Sequence, residues 1–303
     1  MEKILSGKPI ASAIKAHLKT LCAELDIHPA MSLIQVGGDP ASDYYVQNII
    51  SNGRKLGMEI SLNSLPTTIS QDELIGIIDQ ANQDPAIDGI MLQKPLPGHI
   101  DDIAVGMAIA ADKDIDSLNP VNLGKILLET DSLLPNTPAA VYATLRYYSI
   151  PVSGKHAVII GRSSIVGKPL ANMLLWKNPT ANATVTVCHS KSQNLSEITR
   201  SADILIAAIG KANFVTAEMI KKDAILIDVG INEVLDPSGK PSYVGDIDYN
   251  SCFDKALAIT PVPGGIGTIT SALLMYNLLK TRLIKLNRNK SIDDFLSLIF
   301  GDK

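Results

Sequence analysis

Ala157-Val158-Ile159-Ile160-Gly161-Arg162-Ser163-Ser164-Ile165-Val166-Gly167-Lys168-Pro169-Leu170 passes from an apolar run through a glycine-spaced loop into a helical pattern. That order is strand, tight turn, helix. Backbone N–H groups at such a turn and at the helix start can hold a pyrophosphate, aided by the positive helix end. The spacing is not a full G-x-G-x-x-G, and taken alone it also fits an ordinary strand–helix turn. The next strand sharpens the reading. Thr184 to Val187 leads into Cys188-His189-Ser190-Lys191, with no Asp or Glu where ribose hydroxyls would be taken. Together with Arg162, that ending suits a 2′-phosphate and favours NADP. His189 by itself reads as a packed or solvated histidine.

Outward from this loop, short apolar runs alternate with helix-length amphipathic stretches, the pattern of an α/β protein with mainly parallel strands. Further strands are predicted at Ile204 to Ala208, Ala224 to Val229 and Ala256 to Thr260. In the first half, Ser32 to Val36 runs into the turn Gly37-Gly38-Asp39-Pro40, and a helix from Ser42 to Leu56 stops at Gly57. Glu59 to Leu65 and Asp88 to Gln93 read as strands, and Ser70-Gln71-Asp72-Glu73 has capping-box spacing. The change of character before Pro151-Val152-Ser153-Gly154 puts a boundary near 140–150. We therefore expect a first domain over 1–145, a Rossmann-like domain over 146–269, and a C-terminal stretch, 270–303, that returns to the first. Within it Ser271 to Ile284 is apolar at helical spacing, and the tail after Asn287 is polar enough to fray.

Composition narrows the function. The chain has 303 residues with net charge -4, so a basic face for phosphate neutralisation is disfavoured, and 4% aromatics argues against base stacking. Cys22, Cys188 and Cys252 show no C-x-x-C spacing, and His17, His28, His99 and His156 are scattered, so neither a disulfide scaffold nor a metal site is expected. The N-terminus is broken by charge and proline, unlike a signal peptide, and no apolar run approaches the roughly 20 residues of a membrane span. A soluble, cytoplasmic protein with no nucleic-acid or membrane partner is expected.

At this point the residues carry a family. Gly161-Arg162-Ser163 with Ile165-Val166-Gly167, Asn182 to Thr186 leading to Cys188-His189-Ser190, Ile227-Asp228-Val229-Gly230-Ile231-Asn232, Gly245-Asp246-Ile247-Asp248 and Thr260-Pro261-Val262-Pro263-Gly264-Gly265-Ile266-Gly267 resemble methylenetetrahydrofolate dehydrogenase/cyclohydrolase. So do Gln93-Lys94-Pro95-Leu96-Pro97 and Lys113-Asp114-Ile115-Asp116 with Asn119-Pro120. The matches span nearly the whole chain in order. The resemblance implies a folate-binding α/β domain, an NADP-binding Rossmann-like domain, and tetrahydrofolate derivatives bound in the cleft that these form. It implies two steps. A hydride passes from the one-carbon bridge to the nicotinamide, and water then opens the methenyl cation to formyltetrahydrofolate. By the same resemblance Tyr45 packs on the folate, Gln93 tunes proton transfer, Asp116 takes the pteridine amino edge, and Pro263, Gly264 and Gly265 line the cleft. Gly161, Arg162, Ser163, Ser190 and Ile231 carry the cofactor, and the enzyme is a homodimer.

One departure matters most. The family carries a lysine one helical turn after the tyrosine, on the same helix face, where it serves proton transfer. Here that residue is Ile49. Hydride transfer depends mainly on alignment, whereas hydrolysis needs acid–base help, so dehydrogenase activity is expected to persist and cyclohydrolase activity to be weak or absent. Lys94, in place of an apolar residue after Gln93, could restore proton transfer, although strand alternation should point it away from Gln93. Asn136 and Ala140 replace a usual cysteine and glycine, Ser117 a glycine, and Thr268-Ile269 a proline–methionine pair. Three alternatives stand beside this reading: a fully bifunctional enzyme, a non-catalytic folate- or nucleotide-binding paralogue, and a different dehydrogenase on the same scaffold.

Overall fold

The computed structural model describes residues 2–38, 40–235, 239–288 and 294–297. Part of the tail expected to fray, and Asp39 of the predicted turn, lie outside the described residues. Ten α-helices of five residues or more are formed among the described residues. These are α1 (Gly7–Leu25), α2 (Pro40–Lys55), α3 (Gln71–Gln83), α4 (Asp102–Ala108), α5 (Pro120–Leu127), α6 (Asn136–Tyr147), α7 (Gly167–Leu175), α8 (Leu195–Arg200), α9 (Tyr249–Phe253) and α10 (Ile266–Lys285). Two compact units emerge, one of Ala13–Asn136 with Ser271–Ile299, the other of Met1–Ser12 with Thr137–Thr270. None of the described helices is long and apolar enough to cross a membrane.

The first unit holds a parallel sheet of β1 (Ala30–Val36), β2 (Glu59–Leu65) and β3 (Gly89–Leu92), in the order β2-β1-β3. Central β1 is buried on both faces, which explains its nearly continuous apolar run. Edge strand β2 alternates between half-buried and exposed residues. Helix α3 starts as its sequence predicts. The Ser70 hydroxyl accepts the Glu73 N–H, and the Glu73 carboxylate accepts the Ser70 N–H. Its Leu74, Ile78 and Ala81 pack with Ile34, Val36, Ile90 and Leu92 into one core. The segment around Asp114 runs alongside β3, where the Ile90 N–H donates to the Lys113 carbonyl at 2.7 Å.

The second unit holds β4 (His156–Ile160), β5 (Thr184–Cys188), β6 (Ile204–Ala207), β7 (Ile225–Asp228), a hairpin of β8 (Asn232–Leu235) and β9 (Pro241–Val244), and β10 (Ala258–Ile259). Apart from the antiparallel hairpin its strands form one parallel sheet, ordered β5-β4-β6-β7-β10. Residues 3 to 5 extend it past β10: Leu5 donates to Ile259, and Ile259 to Lys3, each at 2.9 Å. The order reverses between β4 and β6, and in open α/β sheets ligands bind beyond the strand ends at such a reversal. The fold is thus two α/β units with mainly parallel sheets, the class read from the sequence. Strand ends differ slightly. The third strand stops at Leu92 rather than Gln93, and the last pairs over two residues rather than five.

Candidate functional site

Gly161 sits at the reversal with φ +128, and a Cβ there would lie 2.2 Å from the Ala208 carbonyl oxygen. A Cβ on Gly167 would lie 2.1 Å from the Gly161 oxygen, so glycine is required at both ends of the loop. The Ser163 hydroxyl accepts from the Val166 and Gly167 N–H groups at 3.1 and 3.4 Å, which fixes the turn into α7. Arg162, Ser163, Ser164 and Ile165 remain exposed above it.

The Gly161 N–H donates to the Cys188 carbonyl at 2.9 Å, so Arg162 and His189 each stand one residue from a shared bond. After β5 the chain closes a turn in which the His189 N–H donates to the Ser192 hydroxyl at 2.9 Å. That turn leaves Ser190 and Lys191 exposed and offers no carboxylate. A loop closed by glycine at both ends, beside a cationic, carboxylate-free strand end, fits a dinucleotide bearing a 2′-phosphate. Ile231, past the end of β7, is 60% exposed.

A buried acidic pair braces these loops. Asp246 is fully buried and accepts from the Ile209, Gly210 and Lys211 N–H groups and from the Asn232 amide, at 2.6 to 3.0 Å. Asp228 accepts from the Gly230, Asp246 and Ile247 N–H groups. Burial pushes the Asp228 carboxyl up to about 7, against the pull of those three donors. Sequence reading matched the stretches around both aspartates but gave neither a role. The available signal was an aspartate closing an apolar strand two residues before Gly230, and another directly after Gly245. Cβ atoms on Gly230 and Gly245 would strike these two carboxylates. Pro263, Gly264 and Gly265 belong to the same unit. Gly264 has φ +101, and a Cβ on Gly265 would lie 2.4 Å from the Pro261 oxygen.

In the first unit, a hydrogen bond of 2.8 Å from Gln35 to Asp43 ties the start of α2 to β1. Helix α2 then presents Tyr45, 39% exposed, and buries Ile49, 1% exposed. Burial, reinforced by the Asp116 charge, pushes the Tyr45 phenol up to about 12, so it stays neutral. Asp116 accepts from the Asn136 amide at 2.6 Å. Burial raises its carboxyl, while Asn136 and the Lys94 charge oppose the rise.

The Gln93 amide donates to the Lys94 carbonyl at 2.7 Å, and its own carbonyl oxygen is buried with no partner. A buried acceptor of this kind suits a ligand donor. Lys94 itself donates to Asp102 at 3.0 Å. Because β3 ends at Leu92, strand alternation does not govern Lys94. Its ammonium pairs with Asp102 and favours the ionised form of Asp116. Tyr45, Lys94 and Asp116 therefore share one electrostatic neighbourhood, with Gln93 bonded to its edge. Ser117 has φ +57, where a glycine would be unstrained, and its buried hydroxyl donates to Leu133 at 2.9 Å.

Fold and loops together define a class: a two-unit α/β protein with a dinucleotide-type loop in one unit and a carboxylate–phenol pair in the other. Residues 5–116 match the tetrahydrofolate dehydrogenase/cyclohydrolase catalytic domain, and residues 135–286 match the NAD(P)-binding domain of the same family. The chain is 46% identical over 286 residues to the bifunctional protein FolD of Prosthecochloris aestuarii, covering 92% of this chain and 97% of that one. A crystal structure of the bifunctional FolD methylenetetrahydrofolate dehydrogenase/cyclohydrolase from Campylobacter jejuni superimposes with a TM-score of 0.87 at 39% identity, covering 93% of this chain and 99% of that one. The Trypanosoma brucei methylenetetrahydrofolate dehydrogenase-cyclohydrolase, solved with NADP and an inhibitor, also gives 0.87, at 34% identity over 94% of this chain and 98% of that one. The chain belongs to the tetrahydrofolate dehydrogenase/cyclohydrolase family.

Proposed function

We propose that this chain oxidises 5,10-methylenetetrahydrofolate to 5,10-methenyltetrahydrofolate with NADP, and that it performs the following hydrolysis to 10-formyltetrahydrofolate weakly or not at all. The observation that carries the split is Ile49. One turn beyond Tyr45 it is 1% exposed, and an alkyl side chain cannot move a proton.

In this reading Gly161, Arg162, Ser163, Ser190 and Ile231 hold NADP, which when bound supplies the hydride acceptor. Tyr45, kept neutral, packs on the folate. Asp116 accepts from the amino-pyrimidine edge, Gln93 offers its buried carbonyl to a ligand donor, and the turn of Pro263, Gly264 and Gly265 admits a flat ring close to backbone. The hydride step then asks only for alignment. By the family resemblance we also place the enzyme in the cytoplasm as a homodimer. The test is NADP reduction by the purified chain with methylenetetrahydrofolate as donor; no reduction would defeat the reading.

Cofactor choice has its own test. Arg162 is the cation next to Gly161, so Arg162→Ala should lower kcat/KM for NADP about 10–100-fold, the worth of a charge-assisted bond. With NAD the same variant should change less than about threefold. Equal losses with both nucleotides would place Arg162 elsewhere.

A second reading, full bifunctionality, has one observation in its favour: the Lys94 ammonium is a charged group that acts on Asp116. If Lys94 supplies the proton, Lys94→Met should remove hydrolysis about 10²-fold or more while sparing NADP reduction. We expect Lys94→Met to leave the slow hydrolysis within about threefold, because the ammonium is already engaged with Asp102.

A further inference from the structure

We propose that Asn136 and Asn277 are positioning residues for folate recognition. They form an amide pair that fixes Asp116 as the acceptor for an amino-pyrimidine edge. The proposal rests on the reading of Asp116 given above and assigns the residues that make it selective.

Asn277 is 2% exposed, in an otherwise apolar stretch of α10. A buried amide there is costly unless bonded. Its NH2 group donates to the Ile115 carbonyl at 2.9 Å, to the Leu134 carbonyl at 2.8 Å and to the Asn136 side-chain oxygen at 3.1 Å. With that oxygen occupied as an acceptor, the Asn136 NH2 must face the other way. It does so, donating to Asp116 Oδ1 at 2.6 Å and to the Ile115 carbonyl at 3.2 Å. The network itself settles the amide orientation. Ile115 therefore receives both amides, which pins the peptide leading into Asp116, while Asn136 pins its carboxylate.

The chemistry follows from the carboxylate's donor–acceptor inventory. Ionised, Asp116 only accepts, and with Asn136 on one oxygen its remaining lone pairs are free for paired N–H donors. Protonated, it presents a donor to donors and the match is lost. Charged and titratable groups bear on it from each neighbouring segment: Tyr45 from α2, Lys94 from beyond β3, and Asp114 two residues earlier. Lys94 and the Asn136 amide favour the ionised form; an ionised Asp114 opposes it.

Asn136→Leu and Asn277→Leu should each raise KM for methylenetetrahydrofolate about tenfold, more than they lower kcat, and leave KM for NADP unchanged. The acid limb of kcat/KM should move up by about one pH unit. Asn136→Asp keeps the shape, and so serves if the leucine variants do not fold. It places two carboxyls in contact and should move that limb by about two units or more. A lowered Tm with an unmoved acid limb and unmoved KM would make the pair merely structural and overturn the proposal. Carbon-13 titration of the Asp116 carboxyl, assigned with Asp116→Asn, separates the two readings. If the unaltered chain reduces no NADP, the folate reading fails, yet a midpoint raised by Asn136→Asp upholds the relay and an unraised one refutes it.

Discussion

Ile49→Lys is expected to accelerate methenyltetrahydrofolate hydrolysis about 10²-fold or more over the unaltered chain, within the range that general acid–base catalysis supplies. The helix already presents Tyr45 within reach of the Asp116 charge, and a side chain four residues on shares that face. Ile49 is buried, so the ammonium must reach outward on its four-carbon stem, and a drop of a few degrees in Tm is expected. NADP reduction should stay within about threefold, because it depends on alignment rather than proton transfer. The measurement is loss of the methenyl absorbance against a buffer blank. A folded variant that hydrolyses no faster than the parent would show that residue 49 does not limit the step.

The second large effect concerns stability. Asp246→Ala removes one carboxylate and strands four donors: the amides of Ile209, Gly210 and Lys211 and the Asn232 side chain. Each unsatisfied buried donor costs about 1–3 kcal/mol, and water can enter to meet some of them, so a net loss of about 3 kcal/mol or more is expected. For units of this size that is a fall in Tm of roughly 6–12 °C. Residues 209 to 211 follow Ala208, whose carbonyl presses on Gly161, so NADP affinity should fall at least about tenfold as well. Thermal unfolding with and without NADP reads both effects. A Tm within about 2 °C of the parent would mean that the pair is not the brace described.

Much of this was legible in the chain. Glu59–Leu65 was readable to the residue because Gly57 closes the helix before it and the Ser70 capping box opens the helix after it. Gly161 and Gly167 announced a loop that only glycine can close. Other features were hidden for physical reasons. The pairing of Ile4 with Ile259 joins residues at opposite ends of the sequence, which no local pattern encodes. That outer neighbour lets β10 be as short as two residues. The β8–β9 hairpin alternates exposed with half-buried residues and offers little apolar signal.

The site divides the same way. Gln93 and Asp116 were singled out through an ordered set of motifs and Tyr45 through the family resemblance; periodicity alone would have left them a strand end, a turn aspartate and a core tyrosine. Lys94 lies two residues past the end of β3, where alternation no longer says which way a side chain points. Asn277 left a fainter mark, a lone amide in an apolar helix, and only the folded network shows that it aims Asn136 at Asp116.

The most direct test of the account is a paired assay on one purified sample. One cuvette follows NADP reduction with methylenetetrahydrofolate, and the other follows methenyltetrahydrofolate loss against buffer. The account expects clear reduction with hydrolysis close to the blank, the two activities being separated at Ile49. Hydrolysis keeping pace with reduction would contradict it and make Lys94 the first residue to replace.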